Sequence, residues 1–339
     1  MTGAASLDPS DVCVVITTYG ERAELCLQVV EGALRESVGR VVVVNNGAAP
    51  GLWQHLAQLG EEIEAVAVLN QGCNRGSAAG VAAGLSWFLA MKQWRAVWIL
   101  DDDTVPRSGA LAELLVWHQR MAGPGGLLAF RPTRPYQAAM VAGRSAAEAY
   151  PSPSAYLNFS VMDLADRLRQ RRRPQGAAVR TEPIPIPYGA YGGLLLDREA
   201  VDRIGLPRED LVLYEDDAEY TARLARANMK LHLVPSAVVD DIDGIWAEDG
   251  QGGTALGRLL TTPHATRAFY STRNRVFFES RYWCTNALVF RVNKAVWLVL
   301  LALTALRRRR IDRLRMLVAA MRAGERGELG VDPAHPLPS

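Results

Sequence analysis

The chain has 339 residues, of which 49% are hydrophobic and 22% charged, a globular composition that excludes an intrinsically disordered protein. The formal net charge of +2 gives no general signal for binding nucleic acid or another polyanion. Cys13, Cys26, Cys73 and Cys284 lack CxxC spacing, so the sequence predicts neither a zinc site nor a disulfide framework. We therefore expect a protein of the reducing cytoplasm, and residues 1–12 lack the basic and apolar segments of a signal peptide.

The first hundred residues alternate strand patterns with helix patterns. Continuous β-branched runs and helical spacing predict, in chain order, a strand at 12–19, a helix at 22–34, a strand at 40–46, a helix at 51–61, a strand at 64–70, a helix at 76–94 and a strand at 95–101. This alternation predicts an α/β fold whose mostly parallel sheet is flanked by helices. Ligands of such sheets bind at the carboxyl ends of the strands.

The rest of the chain is less regular. Residues 144–187 contain "YPSPS", "RQRRRPQ" and "PIPIP", and we expect them to form a mobile or extended excursion. The segments 188–205, 215–228 and 230–243 predict a strand, a helix and a strand. An apolar run at 295–306, about 12 residues long and too short to span a bilayer, precedes Arg307–Arg310. The segment 295–315 predicts a helix at the membrane interface, or alternatively a core helix packed on the rest of the protein.

The stretch "WRAVWILDDDTVP" at 94–106 places three aspartates at the end of the fourth predicted strand. Alternate side chains of an extended chain share a face, so Asp101 and Asp103 can point the same way. Paired carboxylates suit Mg²⁺ or Mn²⁺ with sites left open for phosphate oxygens and water. Asp102 points the other way, towards backbone or a ribose hydroxyl. The alternative interpretation is a solvated turn.

A second acidic cluster lies in "LYEDDAEYTARL" at 213–224. Asp216, Asp217 and Glu219 begin the predicted helix, where the positive end of the helix dipole favours carboxylates. Helix capping alone is one explanation, but three acids exceed what capping needs. A carboxylate held there can act as a general base towards a sugar hydroxyl.

Two further motifs point to phosphate groups. "NQGCNRGSAAG" at 70–80 is glycine-rich and opens a helix, so the backbone near Asn74 and Gly76 can approach a nucleotide, although close helix packing explains the same glycines. "FYSTRNRVFF" at 269–278 places Arg273, Asn274 and Arg275 among aromatic residues. These arginines are either solvated on an interfacial helix or engage a diphosphate, and we assign Arg273 to the diphosphate.

Together these segments resemble the family 2 glycosyltransferases, which have the GT-A fold. The resemblance covers residues 12–280 and rests on "ITTYGE", "VVVVNN", "DDD", "EDDAEY" and "YSTRNR", which occur in the family's order. Within the family the chain is most similar to galactofuranosyltransferases and then to rhamnosyltransferases, through "NRGSAAG", "WILDDD" and the Arg–Asn pair of "YSTRNR".

The resemblance implies an inverting, single-displacement transfer from a nucleotide sugar. It implies that Thr18, Tyr19 and Asn45 form the base and ribose pocket and that Asp101 and Asp103 form the diphosphate and metal site. It implies Asp217 as the general base with Asp216 as its acidic neighbour. The acceptor loop it implies contains Tyr191, Gly192 and Gly193. The aromatic residue before the acceptor loop is often Trp or Phe in the family, and here it is Tyr191.

One position departs from the galactofuranosyl pattern. That branch has a metal-binding His about 24 residues after the base, and this chain has Asp241 there, within "VVDDID". The resemblance therefore implies Asp241 as a third ligand of Mn²⁺ or Mg²⁺, with His264 as the first alternative.

These observations predict a catalytic domain at 1–280, with a nucleotide-binding half at about 12–105 and an acceptor half at about 106–280, and a basic helical extension at 281–339. The expected reaction transfers a sugar, with galactofuranose favoured, from a UDP- or dTDP-linked donor to a hydroxyl of a glycan or lipid-linked glycan, at the inner face of the cell membrane. The alternatives are a rhamnosyltransferase that uses dTDP-rhamnose, a glycoside hydrolase, and a non-catalytic protein that binds glycans or nucleotides.

Overall fold

A mixed β-sheet flanked by helices forms the centre of the protein in the computed structural model, which describes residues 6–121, 123–163, 179–243 and 255–337. The strands are β1 (Val12–Gly20), β2 (Arg40–Ala48), β3 (Val66–Asn70), β4 (Ala96–Asp101), β5 (Thr104–Pro106), β6 (Gly125–Phe130), β7 (Ile184–Ile186), β8 (Leu194–Asp197) and β9 (Lys230–Asp241). The α-helices are α1 (Ala23–Arg35), α2 (Pro50–Glu62), α3 (Ser77–Met91), α4 (Ala110–Arg120), α5 (Pro135–Val141), α6 (Ala146–Ala149), α7 (Arg198–Ile204), α8 (Asp216–Arg226), α9 (Ala255–Thr261), α10 (Ala265–Phe278), α11 (Ala287–Arg307) and α12 (Ile311–Arg326).

The N-terminal half confirms the predicted α/β fold. Strands β3, β2, β1 and β4 are adjacent and parallel, and the sheet continues through β8, β6, β9 and β5 with both parallel and antiparallel pairs. Val12–Ile16 of β1 is buried on both faces, as the continuous apolar pattern predicts for a strand covered by helices on both sides. On one face α3 lies very close to β1, since a Cβ atom at Gly84 would lie 2.3 Å from Val15 Cγ1.

The strand order places a ligand site beside the aspartates. The chain runs from β1 to β2 and β3 on one side and then returns to β4 on the other side of β1. In this register Thr17 of β1 is paired with Asp101 of β4. Adjacent strands whose connections leave in opposite directions open a crevice at their carboxyl ends, where open α/β sheets bind ligands.

Parts of the middle segment are more ordered than the sequence suggests. Within the expected excursion at 144–187, Tyr150 donates a hydrogen bond to the Tyr188 carbonyl, Tyr156 forms an isolated bridge with Phe159, and β7 pairs with β9. The "RQRRRPQ" stretch lies outside the described residues. The strand expected across 188–205 is only four residues long, since it ends at Asp197 where α7 begins.

The C-terminal helices pack on α9 and α10. Helix α12 lies against α10, and a Cβ atom at Gly324 would lie 2.2 Å from the Arg273 carbonyl oxygen, so the two backbones nearly touch. The apolar run lies within α11, a helix of 21 residues in which an 18-residue stretch has a mean hydropathy of 1.7. Among the described residues α11 is the one helix that length and composition would allow to cross a membrane.

Candidate active site

A cleft of about 1790 Å³ opens at the carboxyl ends of β1, β2 and β4. Its walls bring together the two acidic clusters, the segment 188–191 and the beginning of α10. The site residues expected from the sequence that line it are Tyr19, Asn74, Asp101, Asp102, Asp103, Tyr191, Asp216 and Asp217. The cleft therefore joins most of the separately predicted motifs in one place.

Arginines neutralise the aspartate triplet. Arg22, in the loop between β1 and α1, donates from Nε to Asp102 at 2.9 Å and from Nη2 to Asp103 at 3.0 Å, and its Nη1 lies 2.5 Å from Asp243. Burial raises the pKa of Asp102 to about 7, although the charge of Arg22 opposes this shift. One guanidinium thus ties the end of β4 to the chain that follows β9.

A second arginine lies at the centre of the site and is fully buried. Arg131 follows β6 directly and donates from Nη1 to Asp101 Oδ2 at 2.9 Å and from Nη2 to Asp241 Oδ1. Asp241 also accepts a hydrogen bond from Thr133, and Arg134 lies 3.6 Å away. Burial alone would raise the pKa of Asp241, but the positive charge of Arg131 and these hydrogen bonds hold it below its usual value.

The metal site expected from the sequence fits these side chains in part. Asp101 and Asp103 flank the Arg131 guanidinium. The Asp101 side chain is 39% exposed in the cleft, so it is a suitably placed oxygen donor for Mn²⁺ or Mg²⁺. The Asp103 side chain is 8% exposed, and its oxygens accept hydrogen bonds from Arg22 and Thr104. Both Asp241 oxygens are taken by the groups around Arg131, and its side chain is 2% exposed. In the chain as far as it is described, no three His, Cys, Asp or Glu side chains converge as a metal site. The structure therefore offers Asp101 as an accessible ligand, whereas hydrogen bonds hold the oxygens of both Asp103 and Asp241. His264 lines the same cleft.

The second acidic cluster faces the same cleft from the start of α8. Asp216 accepts a hydrogen bond of 3.0 Å from the Ser77 hydroxyl, which joins α8 to α3. Asp217 accepts a hydrogen bond of 2.7 Å from the Ala218 backbone N–H. Burial raises the pKa of both carboxyl groups, and the negative charge of Asp101 raises that of Asp217 further. A raised pKa makes Asp217 a stronger base than a solvated aspartate.

The loop before α8 is strained. Val212, Tyr214 and Glu215 have φ values of +68°, +63° and +62°, a conformation that is especially unfavourable for the β-branched Val212. Such backbone persists only where surrounding contacts fix it. Here the fully buried Asn274 of α10 donates from Nδ2 to the carbonyl oxygens of Leu211, Leu213 and Tyr214 at 2.6, 2.6 and 3.1 Å.

The assignment of Arg273 to the diphosphate is corrected by its position. Its guanidinium is buried and donates to the carbonyl oxygens of Gly330 and Leu211, outside the cleft. Arg275, two residues further along α10, does line the cleft and lies 2.8 Å from Glu215. The helical spacing places Arg273 on the side of α10 opposite the cleft. There it helps to position the loop before α8, through its hydrogen bond to the Leu211 carbonyl.

In the expected nucleotide pocket, two of the residues that line the cleft are sequence neighbours of predicted ones. Thr18 is fully buried and Asn45 donates to Asn70, whereas Thr17 and Asn46 line the cleft. Asn46 holds the glycine-rich loop, since it donates to the Gly76 carbonyl at 2.9 Å and accepts from the Arg75 N–H at 3.0 Å.

In the expected acceptor loop the Gly192 position is too close to the ion pair for a side chain. A Cβ there would lie 2.5 Å from both Asp101 Oδ2 and Arg131 Nη1. The adjacent Gly193 has a φ of +96°, which favours glycine. Gly192 therefore leaves room for the Arg131–Asp101 pair, and Gly193 gives the loop its backbone conformation.

The sequence reasoning missed four residues that organise the cleft: Arg22, Arg131, Asn46 and Ser77. Arg22 and Arg131 each lie one or two residues beyond a strand, at the sheet edge where ligands bind, and that position was the signal available. Nothing in the sequence indicates which carboxylates these arginines would pair with.

Comparison with known proteins identifies the family to which the chain belongs. Residues 9–249 match the family model described as glycosyltransferase like family 2. No curated protein sequence matches the chain.

Solved structures to which the chain is similar include the mannosyltransferase PcManGT from Pyrobaculum calidifontis in complex with GDP-Man and Mn²⁺. It has 17% identity and a TM-score of 0.49 over 96% of this chain and 77% of that chain. GalNAc-T7 with UDP, GalNAc and Mn²⁺ has 14% identity and a TM-score of 0.50 over 84% of this chain. The chain spans 54% of the length of that protein. S. aureus TarS has 12% identity and a TM-score of 0.46 over 93% and 91% of the two chains. At 14% identity and a TM-score of 0.50, the likeness to GalNAc-T7 concerns the fold alone.

The Arg131–Asp241 pair generates a prediction about stability. Asp241→Asn removes one counter-charge of a buried guanidinium, so we expect the free energy of unfolding at pH 7 to fall by about 3 kcal/mol. The pKa of Asp241 is lower in the folded than in the unfolded protein. Its contribution to the free energy of unfolding is therefore fully present above the unfolded pKa of about 3.9, and it is lost as pH falls through the folded-state pKa. Urea unfolding at pH 7 and near pH 3 measures the free energy of unfolding of variant and parent. The difference between the two free energies should be smaller at the lower pH.

Asp240→Asn is the matched control. Asp240 pairs with Arg107 at the surface, where both side chains are about half exposed, so its loss should change stability by under about 1 kcal/mol. Equal destabilisation by the two variants would contradict the role assigned to the buried pair.

The strained loop generates a second prediction. Asn274→Ala leaves buried carbonyl oxygens without a donor, which we expect to cost about 1–3 kcal/mol and to loosen residues 211–217. Amide hydrogen exchange should quicken there and stay unchanged in α1. Ser271→Ala, on the same helix but away from the loop, serves as control. Unchanged exchange at 211–217 in the Asn274 variant would show that other contacts hold the loop.

Proposed function

Because the chain belongs to the glycosyltransferase like family 2, we propose that its cleft binds a nucleotide-diphosphate sugar and transfers the sugar, with inversion, to an acceptor hydroxyl. The activity of a glycosyltransferase with a nucleotide-sugar donor follows from the family; the residue roles and the substrates are the proposal. The observation that carries it is the meeting of two acidic clusters, Asp101–Asp103 and Asp216–Asp217, in one cleft at a sheet switch point.

The donor is assigned to the side of the cleft formed by the first four strands. Tyr19, Asn46 and Asn74 line this side and offer an aromatic ring and amide groups to a base and ribose. Asp101 would hold Mn²⁺ or Mg²⁺ together with Asp103, whose hydrogen bonds from Arg22 or Thr104 would have to open. The metal would supply positive charge to a leaving diphosphate. Arg131 adds a fixed positive charge beside them and keeps both carboxylates in place.

Asp217 is assigned as the general base. In the proposed step the acceptor oxygen attacks the anomeric carbon, its proton passes to Asp217, and the bond from that carbon to the diphosphate breaks with its electron pair leaving on the diphosphate. Attack from the face opposite the leaving group inverts the anomeric centre. The raised pKa of Asp217 suits this role, since a base works best when its pKa lies near the working pH. Asp216, held by Ser77, positions the first turn of α8.

The acceptor is assigned to the opposite wall. Tyr191 lines this wall together with Tyr136, Tyr150 and Tyr188, and Tyr150 packs edge-on against both Tyr136 and Tyr188. Aromatic rings with polar tips suit the mixed apolar and hydroxyl surface of a sugar. A glycan or lipid-linked glycan is therefore the proposed acceptor class.

Galactofuranose from a UDP-sugar is the proposed donor substrate, on the resemblance of "NRGSAAG", "WILDDD" and "YSTRNR" to that branch of the family. One observation favours keeping dTDP-rhamnose as the second candidate. The position of the third metal ligand in the galactofuranosyl branch is Asp241, and it is closed by its ion pair with Arg131.

A donor screen tests the proposal. We expect calorimetry to show Mn²⁺-dependent binding of UDP-galactofuranose and UDP, with weaker binding of dTDP-rhamnose and dTDP. Asp103→Asn should weaken the metal-dependent part. Preference for the dTDP compounds would select the second candidate, and failure of every nucleotide to bind with metal present would contradict the proposed function.

Asp217→Asn tests the base. The variant keeps the shape of the side chain but not its basicity, so turnover should fall by roughly 10²–10⁴ while donor binding persists. In the parent, kcat/KM should decline as pH falls through the raised pKa of Asp217, because protonation removes the base. Asp202→Asn, at an exposed position of α7, is the control. Near-normal turnover of the Asp217 variant would rule out this assignment.

A further inference from the structure

Helix α11 is apolar on two opposite faces, and only one of them is covered. The covered face packs against α9, α10 and α12 through Trp297, Leu301 and Ala305, which are all buried. The opposite face is exposed to solvent. Its large apolar side chains recur every three to seven residues along one side of the helix and are Leu288, Val292, Val299, Leu303 and Leu306, with exposures of 70%, 48%, 57%, 48% and 61%.

Such a stripe is unusual on a soluble surface. Single exposed apolar residues are common, but a continuous row along a whole helix marks a surface that another apolar phase covers. At 1.5 Å per residue the stripe is roughly 27 Å long. We call these five residues the apolar stripe.

A basic cluster adjoins the stripe at its C-terminal end. Arg307, Arg308 and Arg309 are all exposed, and none of them forms an ion pair with any residue that the structure describes. Three neighbouring exposed arginines create a local positive potential that attracts an anionic surface. Because these arginines lie beside the apolar stripe, the partner that fits them both has negative charge and hydrocarbon on one surface.

We infer that the apolar stripe of α11 and Arg307–Arg309 bind the surface of an anionic lipid bilayer, with the helix lying in the interface. An amphipathic helix with arginines beside its apolar face binds in this way by sinking that face into the headgroup boundary. Juxtaposed arginines strengthen the attraction to acidic lipids.

The packing of α11 argues for lying on the bilayer over crossing it. Although α11 is long and apolar enough to cross, crossing would pull Trp297, Leu301 and Ala305 away from α12. It would also break the 2.5 Å ion pair between Lys294 and Glu325 of α12, and place the charged Arg291 and Lys294 in hydrocarbon.

The buried side of α11 is tied to a wall of the cleft. Asn293 donates to the Ser154 carbonyl at 2.9 Å and accepts from the Val161 N–H at 3.0 Å. Between these two contacts lies Asn158, which lines the cleft, as do the preceding Pro151 and Ser152. A bilayer on the apolar stripe would therefore lie behind this wall. Its use in presenting a lipid-linked acceptor rests on the proposed function, whereas the lipid contact itself does not.

Flotation of the full-length protein with vesicles tests the inference. We expect the parent to float with vesicles of phosphatidylglycerol and phosphatidylcholine, and much less with phosphatidylcholine alone. Leu303→Glu should reduce partitioning by about tenfold, since it removes a buried apolar contact and adds a repelled charge. The triple variant Arg307→Gln, Arg308→Gln, Arg309→Gln should reduce it by about a hundredfold, at roughly fivefold for each arginine.

The control is Val116→Glu, which places the same charge at a similarly exposed valine of α4, and which should float as the parent does. Circular dichroism and Mn²⁺-dependent UDP binding check that each variant is folded. Parent-like flotation of both the Leu303 variant and the triple variant would overturn the inference. It would also be overturned if the parent failed to float, if it resisted alkaline carbonate extraction as a spanning protein does, or if Leu303→Glu only converted a dimer into a monomer.

Discussion

The burial of the Arg131 guanidinium is the constraint on which the rest of the site depends. A fully buried cation is stable only with carboxylates close by, and here they come from the ends of two other strands, β4 and β9. One side chain therefore fixes where three strands end relative to one another. It also explains why Gly192 has no room for a side chain. Asp101 and Asp241 have their counter-charge in the folded protein itself, so their burial does not depend on a bound metal or substrate.

Strain is concentrated at the second acidic cluster. Three residues in the left-handed region bring the chain into α8, and Asn274 holds them through backbone carbonyls. The arrangement fixes the direction in which Asp216 and Asp217 enter the cleft. It also makes α10 a structural partner of the site, although only its first residues and Arg275 line the cleft.

The C-terminal part of the chain is connected to the cleft at several points. Helix α12 packs against α10 across the boundary expected at residue 280, and the Gly330 carbonyl accepts from Arg273. Pro336 and Leu337 line the cleft itself. Changes in the C-terminal helices can therefore reach the loop before α8 through direct packing.

The sequence alone determined the α/β fold, the order of its N-terminal elements and the carboxylates of the cleft, because hydrophobic period and the placing of aspartates at strand ends are local properties. It also placed the apolar run beside the arginines of the C-terminal segment. Only the tertiary structure decided which charges pair: Arg131 closes Asp241, and Arg273 turns from the cleft while Arg275 faces it. These outcomes depend on contacts between residues about 60 to 110 positions apart, and local pattern carries no information about such distant partners.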